Sequence, residues 1–331
     1  MAELKVIFMD AGQGDSTLIL FPDGATNWLI DCGSIKNGQV VAPQIQQVLQ
    51  RELPARGNRI HCLILTHPDQ DHYNLLSTIA PAWTINQIVY GGHINQYQNQ
   101  LDRNFTYNLL VNFGNNAISP NARLNWNPVT IGGADVRFLA ANASGNVNDT
   151  NNNSIVVMIT YQNYKFLLMG DAETPTENFI LNNWPANALQ SNFGVCLKMG
   201  HHGSDSSSSQ NWVQTVSPTA LTVSADTRGF GINQRGMPSN SKINNAVGWS
   251  GRVANLPIQL NHPYVVWCDD CAQNSNFYQK PMLVGPTRQA ICTSLYNLAY
   301  NNNFTQFASI GGSWYFVMSD NGQLTVLFTG S

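Results

Sequence analysis

The run Cys62–Leu75, CLILTHPDQDHYNL, constrains this chain more than any other stretch. Its first five residues, Cys62 to Thr66, are apolar or β-prone and predict a short buried strand. That strand runs straight into His67, Asp69, Asp71 and His72, so four potential metal ligands arrive within six residues before a helical pattern begins. A strand end feeding a helix start throws side chains outward from rigid backbone, and ligands at this spacing can converge from one loop. In a chain with only seven histidines, so compact a His-x-Asp-x-Asp-His cluster points to metal rather than to a polar turn.

The surrounding sequence alternates strand and helix patterns. Leu4–Met9 and Ser16–Phe21 read as strands split by AGQGD, whose glycines permit a tight turn, and Asn27–Asp31 as a third. Asp10 and Asp15 flank the turn and Asp31 ends the third strand; structural support is the role expected of all three. A helix is predicted over Ala42–Glu52, ending before Pro54, and the strand Arg59–Thr66 then delivers the ligand cluster. Residues 92–130, rich in Asn and Gln with scattered aromatics and helical over Leu101–Phe113, read as a partial cover over the cleft, with His93 on the surface. Asp135–Leu139, Ser154–Tyr161 and Tyr164–Met169 restart the strand pattern, as in the second half of a duplicated sandwich, and Asp171 closes it. After a helix over Thr174–Asn183, the strand Gly194–Met199 delivers His201 and His202; Asn211–Val216 is helical and Thr219–Ser224 a strand. Residues 225–303 are irregular, and Ser313–Met318 with Gln323–Phe328 form a final hairpin across Asp320-Asn321-Gly322.

The ligand run resembles the His-x-His-x-Asp-His signature of the metallo-β-lactamase fold, in the variant with aspartate, here Asp69, at the second histidine. That variant is similar to the hydrolase domain of competence proteins involved in DNA uptake. Val6–Gly33, NNNSIVV (Asn151–Val157), FLLMGDAE (Phe166–Glu173) and LKMGHHGS (Leu197–Ser204) resemble the same family in the same order. The resemblance implies an α/β fold, an αββα sandwich of the metallo-β-lactamase type. One domain over residues 1–331 is expected, with 225–305 an irregular insertion or elaboration before the final hairpin. Agreement of this kind is specific for fold and much less so for substrate.

Carried over residue by residue, the resemblance implies that His67 and Asp69 hold one metal, Asp71 and His72 the second, and Asp171 bridges. His201, first off its strand, is taken as the closing ligand of the second metal. Asp71 and His202 are taken as the residues acting on the reaction, His202 facing substrate, where an imidazole stabilises charge or protonates a leaving group. Where many members carry a third-motif histidine, this chain has DTNNNS (Asp149–Ser154), as the competence-type variant also has Asn. A carbonyl of Asn151 or Asn153 is a poorer ligand than imidazole, and the oxygen-rich first site shifts preference toward Mn²⁺ or Mg²⁺. Two divalent ions are expected, with zinc the leading choice. Ser204–Ser209 reads as a solvated loop with a helix cap. Cys268, Cys271, Cys292 and His262 would form a weak structural zinc site of irregular spacing; free thiols are the simpler reading.

Composition narrows the function. Paired metals acidify a shared water and clamp the attacking and leaving oxygens of a phosphoryl centre, so a metal-dependent hydrolase, a phosphodiesterase or nuclease, is the leading reading. Hydrolysis of a lactam, lactone or thioester, or a non-catalytic binding protein retaining the fold, are the alternatives. The formal charge is −3, with 16 Lys plus Arg against 19 Asp plus Glu, so no general field attracts a polyanion. Lys198, Arg228, Arg235, Lys242 and Arg252 are the cations nearest the second-half motifs. A small or short phosphodiester is therefore the expected partner, with nucleic acid an alternative. No apolar run approaches a membrane span and no signal-like start is present, so a cytoplasmic protein without membrane contact is expected.

Overall fold

The computed structural model describes residues 2–35, 38–100, 102–119, 129–225, 229–230, 235–236, 239–250, 264–267, 312–322 and 324–330. Its β-prone runs form β1 (Glu3–Phe8), β2 (Thr17–Leu20), β3 (Asn27–Ile30), β4 (Arg59–Leu65), β5 (Thr84–Tyr90) and β6 (Ala117–Ile118) in the first half. The second half supplies β7 (Val129–Ile131), β8 (Ala134–Ala140), β9 (Val156–Tyr161), β10 (Tyr164–Leu168), β11 (Gly194–Lys198) and β12 (Ala220–Val223). β13 (Gly229–Phe230) and β14 (Arg235–Gly236) make a small ladder of their own, and β15 (Tyr264–Trp267), β16 (Gly312–Ser319) and β17 (Leu324–Gly330) follow. One sheet runs β17-β16-β1-β2-β3-β4-β5-β6 and the other β15-β12-β11-β10-β9-β8-β7.

Both faces of these sheets are covered, which is why their strands read as nearly unbroken apolar runs. Along β1 the period of two sorts Leu4, Val6 and Phe8 into the core between the sheets and Ile7 to the outer face. In the second sheet Val157, Ile159, Phe166 and Leu168 point to the same interlayer core, while Val156, Met158 and Leu167 face outward. The rings of Phe166 and Phe316 meet across the layers at 6.1 Å. The outer faces are covered by α1 (Gly38–Glu52), α2 (Leu76–Ile79) and α3 (Phe105–Phe113) on the first sheet, and by α4 (Thr174–Asn183), α5 (Ala186–Leu189), α6 (Gln210–Val216) and α7 (Asn240–Ser250) on the second. The architecture is the expected αββα sandwich.

Parallel pairs need helical crossovers, and these decide where the loops lie. β3, β4 and β5 are parallel neighbours, as are β10, β11 and β12. Their carboxyl ends therefore open at one edge of the sandwich, where the segments after β3, β4, β10, β11 and β12 gather.

Two expectations change. α1 starts at Gly38 and carries Pro43 within it, so Val41 and Ala42 already pack in the outer core. The segment 225–305 is not irregular throughout: α7 packs Ala246 and Trp249 on the outer core, and β15 extends the second sheet parallel to β12. Its β-prone Tyr-Val-Val-Trp sequence suits that position. The final hairpin forms, and β16 pairs antiparallel with β1, so the end of the chain completes the first sheet.

Candidate metal centre

The centre starts at the end of β4. Asp31, at φ 57° just past β3, turns its carboxylate across the sheet. Its Oδ1 accepts the Thr66 backbone N–H at 2.7 Å, and its Oδ2 accepts the Thr66 hydroxyl at 2.7 Å and His72 Nδ1 at 2.8 Å. Thr66 has given its one proton to Asp31, so toward His67 Nδ1, 3.1 Å away, its oxygen accepts. In both neutral imidazoles the proton therefore sits on Nδ1, and Nε2 is the atom turned to the cluster.

The loop Gly12–Asp15 holds the other side of the ligand run. The Asp15 backbone N–H donates to the Asp71 carbonyl at 3.0 Å, its carbonyl accepts Gly33 N–H at 3.1 Å, and Cys32 N–H donates to the His72 carbonyl at 2.8 Å. Gly33 lies so close that a Cβ there would stand 2.4 Å from the Asp71 carbonyl carbon. Here glycine is required by the approach of two backbones rather than by a turn.

The second half adds Asp171 and a histidine. Gly170, at φ 54°, would carry a Cβ 2.9 Å from that of Thr66, and this contact between the halves brings Asp171 over the cluster. Asp171 Oδ1 lies 3.2 Å from His72 Nε2, and its Oδ2 lies 3.3 Å from His202 Nε2 and 3.8 Å from His67 Nε2. His202, 1% exposed, also reaches Asp71 Oδ2 at 3.2 Å, and its Nδ1 donates to the Ser224 carbonyl at 2.6 Å. A carbonyl only accepts, so Nδ1 carries the proton of the neutral ring and Nε2 is the third position open to a metal or a second proton.

The histidine pair is arranged the other way round from the sequence expectation. His202, not His201, joins Asp71, His72 and Asp171. The reason is the backbone: His201 and His202 both adopt positive φ, 45° and 51°, so strand alternation stops at Gly200 and the second ring turns back over the site. His201 points to the rim, where its Nδ1 contacts Glu173 Oε1 at 2.8 Å and Ser206 Oγ at 3.0 Å.

The donor set fits a metal. Nε2 of His67, His72 and His202 and Oδ1 of Asp171 are buried without a hydrogen-bond partner, a costly arrangement unless something accepts those lone pairs. His67, His72 and Asp171 form one ligand group within 4.8 Å, and Asp71, His72 and His202 form another. Asp69 Oδ2 lies 3.6 Å from His67 Nε2 at the open side. A third group, Asp15, Asp31 and His72, is occupied by internal partners: Lys198 pairs with Asp15, and Asp31 is spent on Thr66 and His72.

The electrostatics show the same demand for positive charge. Burial pushes the Asp171 carboxyl up, but His202 and His72 outweigh it and hold it well below the usual carboxylate range. Asp71 is likewise raised by burial and then brought down to about 2, chiefly by His202. Burial lowers His202, yet Asp171 and Asp71 push it up to about 10. These protons stand in for a cation, and a bound metal would displace them.

Around the centre, the Asn151–Asn153 turn replaces the third-motif histidine. Asn152 Nδ2 donates to Asp149 and Glu173, Asn153 Nδ2 to the Asn146 carbonyl, and Oδ1 of Asn151 and Asn153 is buried and unpaired. Ser204–Ser209 is more than a solvated loop: Ser209 caps α6, and the buried Glu177 accepts the backbone N–H groups of Ser208 at 2.5 Å and Ser209 at 2.9 Å. His93 is exposed and caps the short helix Ile94–Tyr97, beside a cavity of about 540 Å³ shared with Asn142 and Asn153. A second cavity, of about 580 Å³, opens on Asp69 and Asp71 and is lined by Gln70, Tyr73, Gln98, Asn99 and Gln100, so part of the predicted cover does border the site. Sequence reading missed Glu173, Thr66, Ser224 and the role of Lys198; Glu173 had a local signal, two residues past Asp171 in FLLMGDAE. Cys268, Cys271, Cys292 and His262 lie outside the described residues.

Two packed sheets with a histidine–aspartate cluster at their shared edge define a metallohydrolase sandwich. The chain belongs to the metallo-β-lactamase superfamily, whose family model matches residues 9–224 and whose members are in general metal-dependent hydrolases. It is 24% identical over 234 residues to ComE operon protein 3 of Bacillus subtilis, covering 68% of this chain and 28% of that protein. It is 25% identical over 224 residues to competence protein ComA of Neisseria gonorrhoeae, covering 67% and 27%. The chain thus spans about a quarter of the length of these relatives. Among solved structures, CmlA, a diiron β-hydroxylase from Streptomyces venezuelae, aligns with a TM-score of 0.38 at 11% identity over 68% of this chain and 45% of its own. Among the described residues, no helix is long and apolar enough to cross a membrane.

Proposed function

We propose that the centre holds two divalent ions and hydrolyses small or short phosphodiesters. His67 and Asp69 would hold the first ion, with an Asn151 or Asn153 carbonyl completing it; Asp71, His72 and His202 would hold the second, and Asp171 would be shared. The observation that carries this reading is the set of three buried Nε2 atoms gathered around the buried Asp171 carboxylate, with the partly buried Asp71 beside His202. Zinc is the leading choice, and the oxygen donors of the first site favour manganese or magnesium as the alternative. When bound, two such ions acidify a water and polarise a phosphoryl oxygen.

The protein's own residues do the rest. Asp31 and Ser224 fix the imidazole tautomers, and Asp71, beside the cavity mouth, borders the reacting group. His201, with Nδ1 engaged by Glu173, keeps Nε2 to hold a proton for the leaving oxygen, the role the sequence had given to His202. Among the described residues, the cavity beside Asp69 and Asp71 is lined by carboxamides and a phenol and by no Lys or Arg, which suits a nucleobase or sugar better than a run of phosphates. Lys198 is buried on Asp15 and Lys242 lies over Trp249, so neither is placed for a phosphate track; Arg228, Arg252 and the Arg235 side chain are outside the described residues. The competence-protein names of the relatives favour nucleic acid as the source of the diester, a short oligonucleotide being the form that fits.

The test is turnover of an aryl phosphodiester and a dinucleotide against long duplex DNA, with added Zn²⁺ or Mn²⁺, from low to moderate salt. Small diesters should be cut at least as well as duplex. Tight duplex binding with a salt slope corresponding to about five or more phosphates, and no turnover of small diesters, would overturn the inference from charge and restore the DNA nuclease reading.

A further inference from the structure

Lys198 is 2% exposed, at the end of β11, and lysine is almost never this buried without a reason in its pairing. Its ammonium pairs with Asp15, itself 3% exposed. Burial alone would pull the lysine down, but Asp15, Asp171 and Asp31 together outweigh it, so it stays charged.

The pair joins the two halves of the sandwich where each delivers ligands. On one side, the Asp15 N–H donates to the Asp71 carbonyl at 3.0 Å, and Gly33 N–H to the Asp15 carbonyl at 3.1 Å. On the other, Ser224 Oγ donates to the Gly14 carbonyl at 2.7 Å, and the Ser224 carbonyl receives His202 Nδ1. Lys198 is in the strand that runs into His202. The loop Gly12–Asp15 is therefore bonded to the backbone of Asp71, to the residue that orients His202, and to the strand that carries His202.

We propose that Lys198 and Asp15 are positioning residues of the metal centre, an internal strut that sets the reach of His202, from the second half, to Asp71, from the first. The proposal rests on the reading of this cluster as a two-metal site. Its consequence is selective: both ions would draw on the second half through Asp171, but only the group Asp71–His72–His202 uses the histidine that follows the strand of Lys198 and the residue whose carbonyl Asp15 holds. The ammonium also supplies a fixed positive charge, so that no divalent ion is needed behind the ligands at Asp15 and Asp31.

Stepwise Mn²⁺ and Zn²⁺ titration against a chelator, with thermal melting of the metal-free protein, tests this on wild type, Lys198→Met, Asp15→Asn and the double variant. Removing one partner leaves a lone buried charge and can block folding, whereas the neutral double variant avoids that cost and should fold. In every folded variant the second metal equivalent should weaken by roughly 10- to 100-fold, as for other residues that orient ligands, while the first stays within about threefold. Equal loss of both equivalents would reduce the pair to general stability, and a double variant that binds both like wild type would overturn the proposal outright. Wild type that binds no metal would instead sink the metal-centre reading, and this proposal with it.

Discussion

At the scale of single residues, the two adjacent histidines occupy different places, and the proposed function gives one to the metal and the other to proton transfer. His202 is buried with its Nε2 between Asp71 and Asp171, while His201 is held at the rim by Glu173. His202→Ala should therefore lose at least one metal equivalent, and His201→Ala should keep both while losing roughly 10²- to 10⁴-fold in turnover, the range for a general acid. Metal analysis beside single-substrate kinetics decides it; equal metal loss in both variants would remove the division of labour. The charge on His202 gives a second prediction. In the metal-free protein its folded value, about 10, is above its ordinary 6.5. Its stabilising contribution is then complete below about pH 6.5 and disappears as pH rises toward about 10. Metal needs the bare imidazole, so its affinity rises over the same window. The melting temperature gained on adding Mn²⁺ should grow from pH 6.5 to pH 9; a gain that shrinks with pH would show that His202 does not meet the metal.

At the scale of elements, the ligand run is held by backbone contacts made by glycines, and these leave no space for a side chain. A Cβ on Gly33 would stand 2.4 Å from the Asp71 carbonyl carbon and 2.5 Å from the His72 nitrogen. Neither neighbour is a flexible side-chain end, so Gly33→Ala must displace the short helix Gln70–His72. Overpacking of this kind costs typically about 1–3 kcal/mol, and here the displaced atoms belong to two proposed ligands. Urea denaturation should show that loss, and the second metal equivalent should weaken more than the first. A variant that keeps wild-type stability and metal affinity would mean the two loops can separate without consequence.

At the scale of the whole molecule, the last strands of the chain complete the first sheet. β16 pairs with β1 over six positions, from Glu3 with Ser319 to Phe8 with Trp314, and buries Trp314, Phe316 and Met318 between the layers. Full burial of each such side chain is worth about 1.5–3 kcal/mol, so their combined loss is comparable to the whole stability of an ordinary domain, about 5–15 kcal/mol. Removing residues 312–331 would also bare the β1 edge. The truncated chain should be unfolded or aggregated by circular dichroism and size-exclusion chromatography, even with the proposed metal ligands intact. A soluble, folded truncation that still binds metal would show that β1–β6, the second sheet and the helices suffice.

Local elements and the grouping of candidate ligands within one loop were legible in the amino-acid sequence. The period of two along Leu4–Phe8, the helical pattern ending before Pro54 and the spacing of His67, Asp69, Asp71 and His72 are short-range properties, written in neighbouring residues. Motif order likewise indicated Asp171 and a histidine of the 201–202 pair. Which of the two rings faces the cluster follows from the tertiary structure, because two residues at positive φ reverse the direction a strand would give. It also decided that Lys198 faces Asp15 rather than a substrate, that Ser224 fixes the His202 tautomer, and that β15 and β16 extend sheets begun far earlier in the chain. Those outcomes depend on pairings between residues tens to hundreds of positions apart. Side-chain patterning specifies that a group is buried; the packing of the two halves specifies what it meets there.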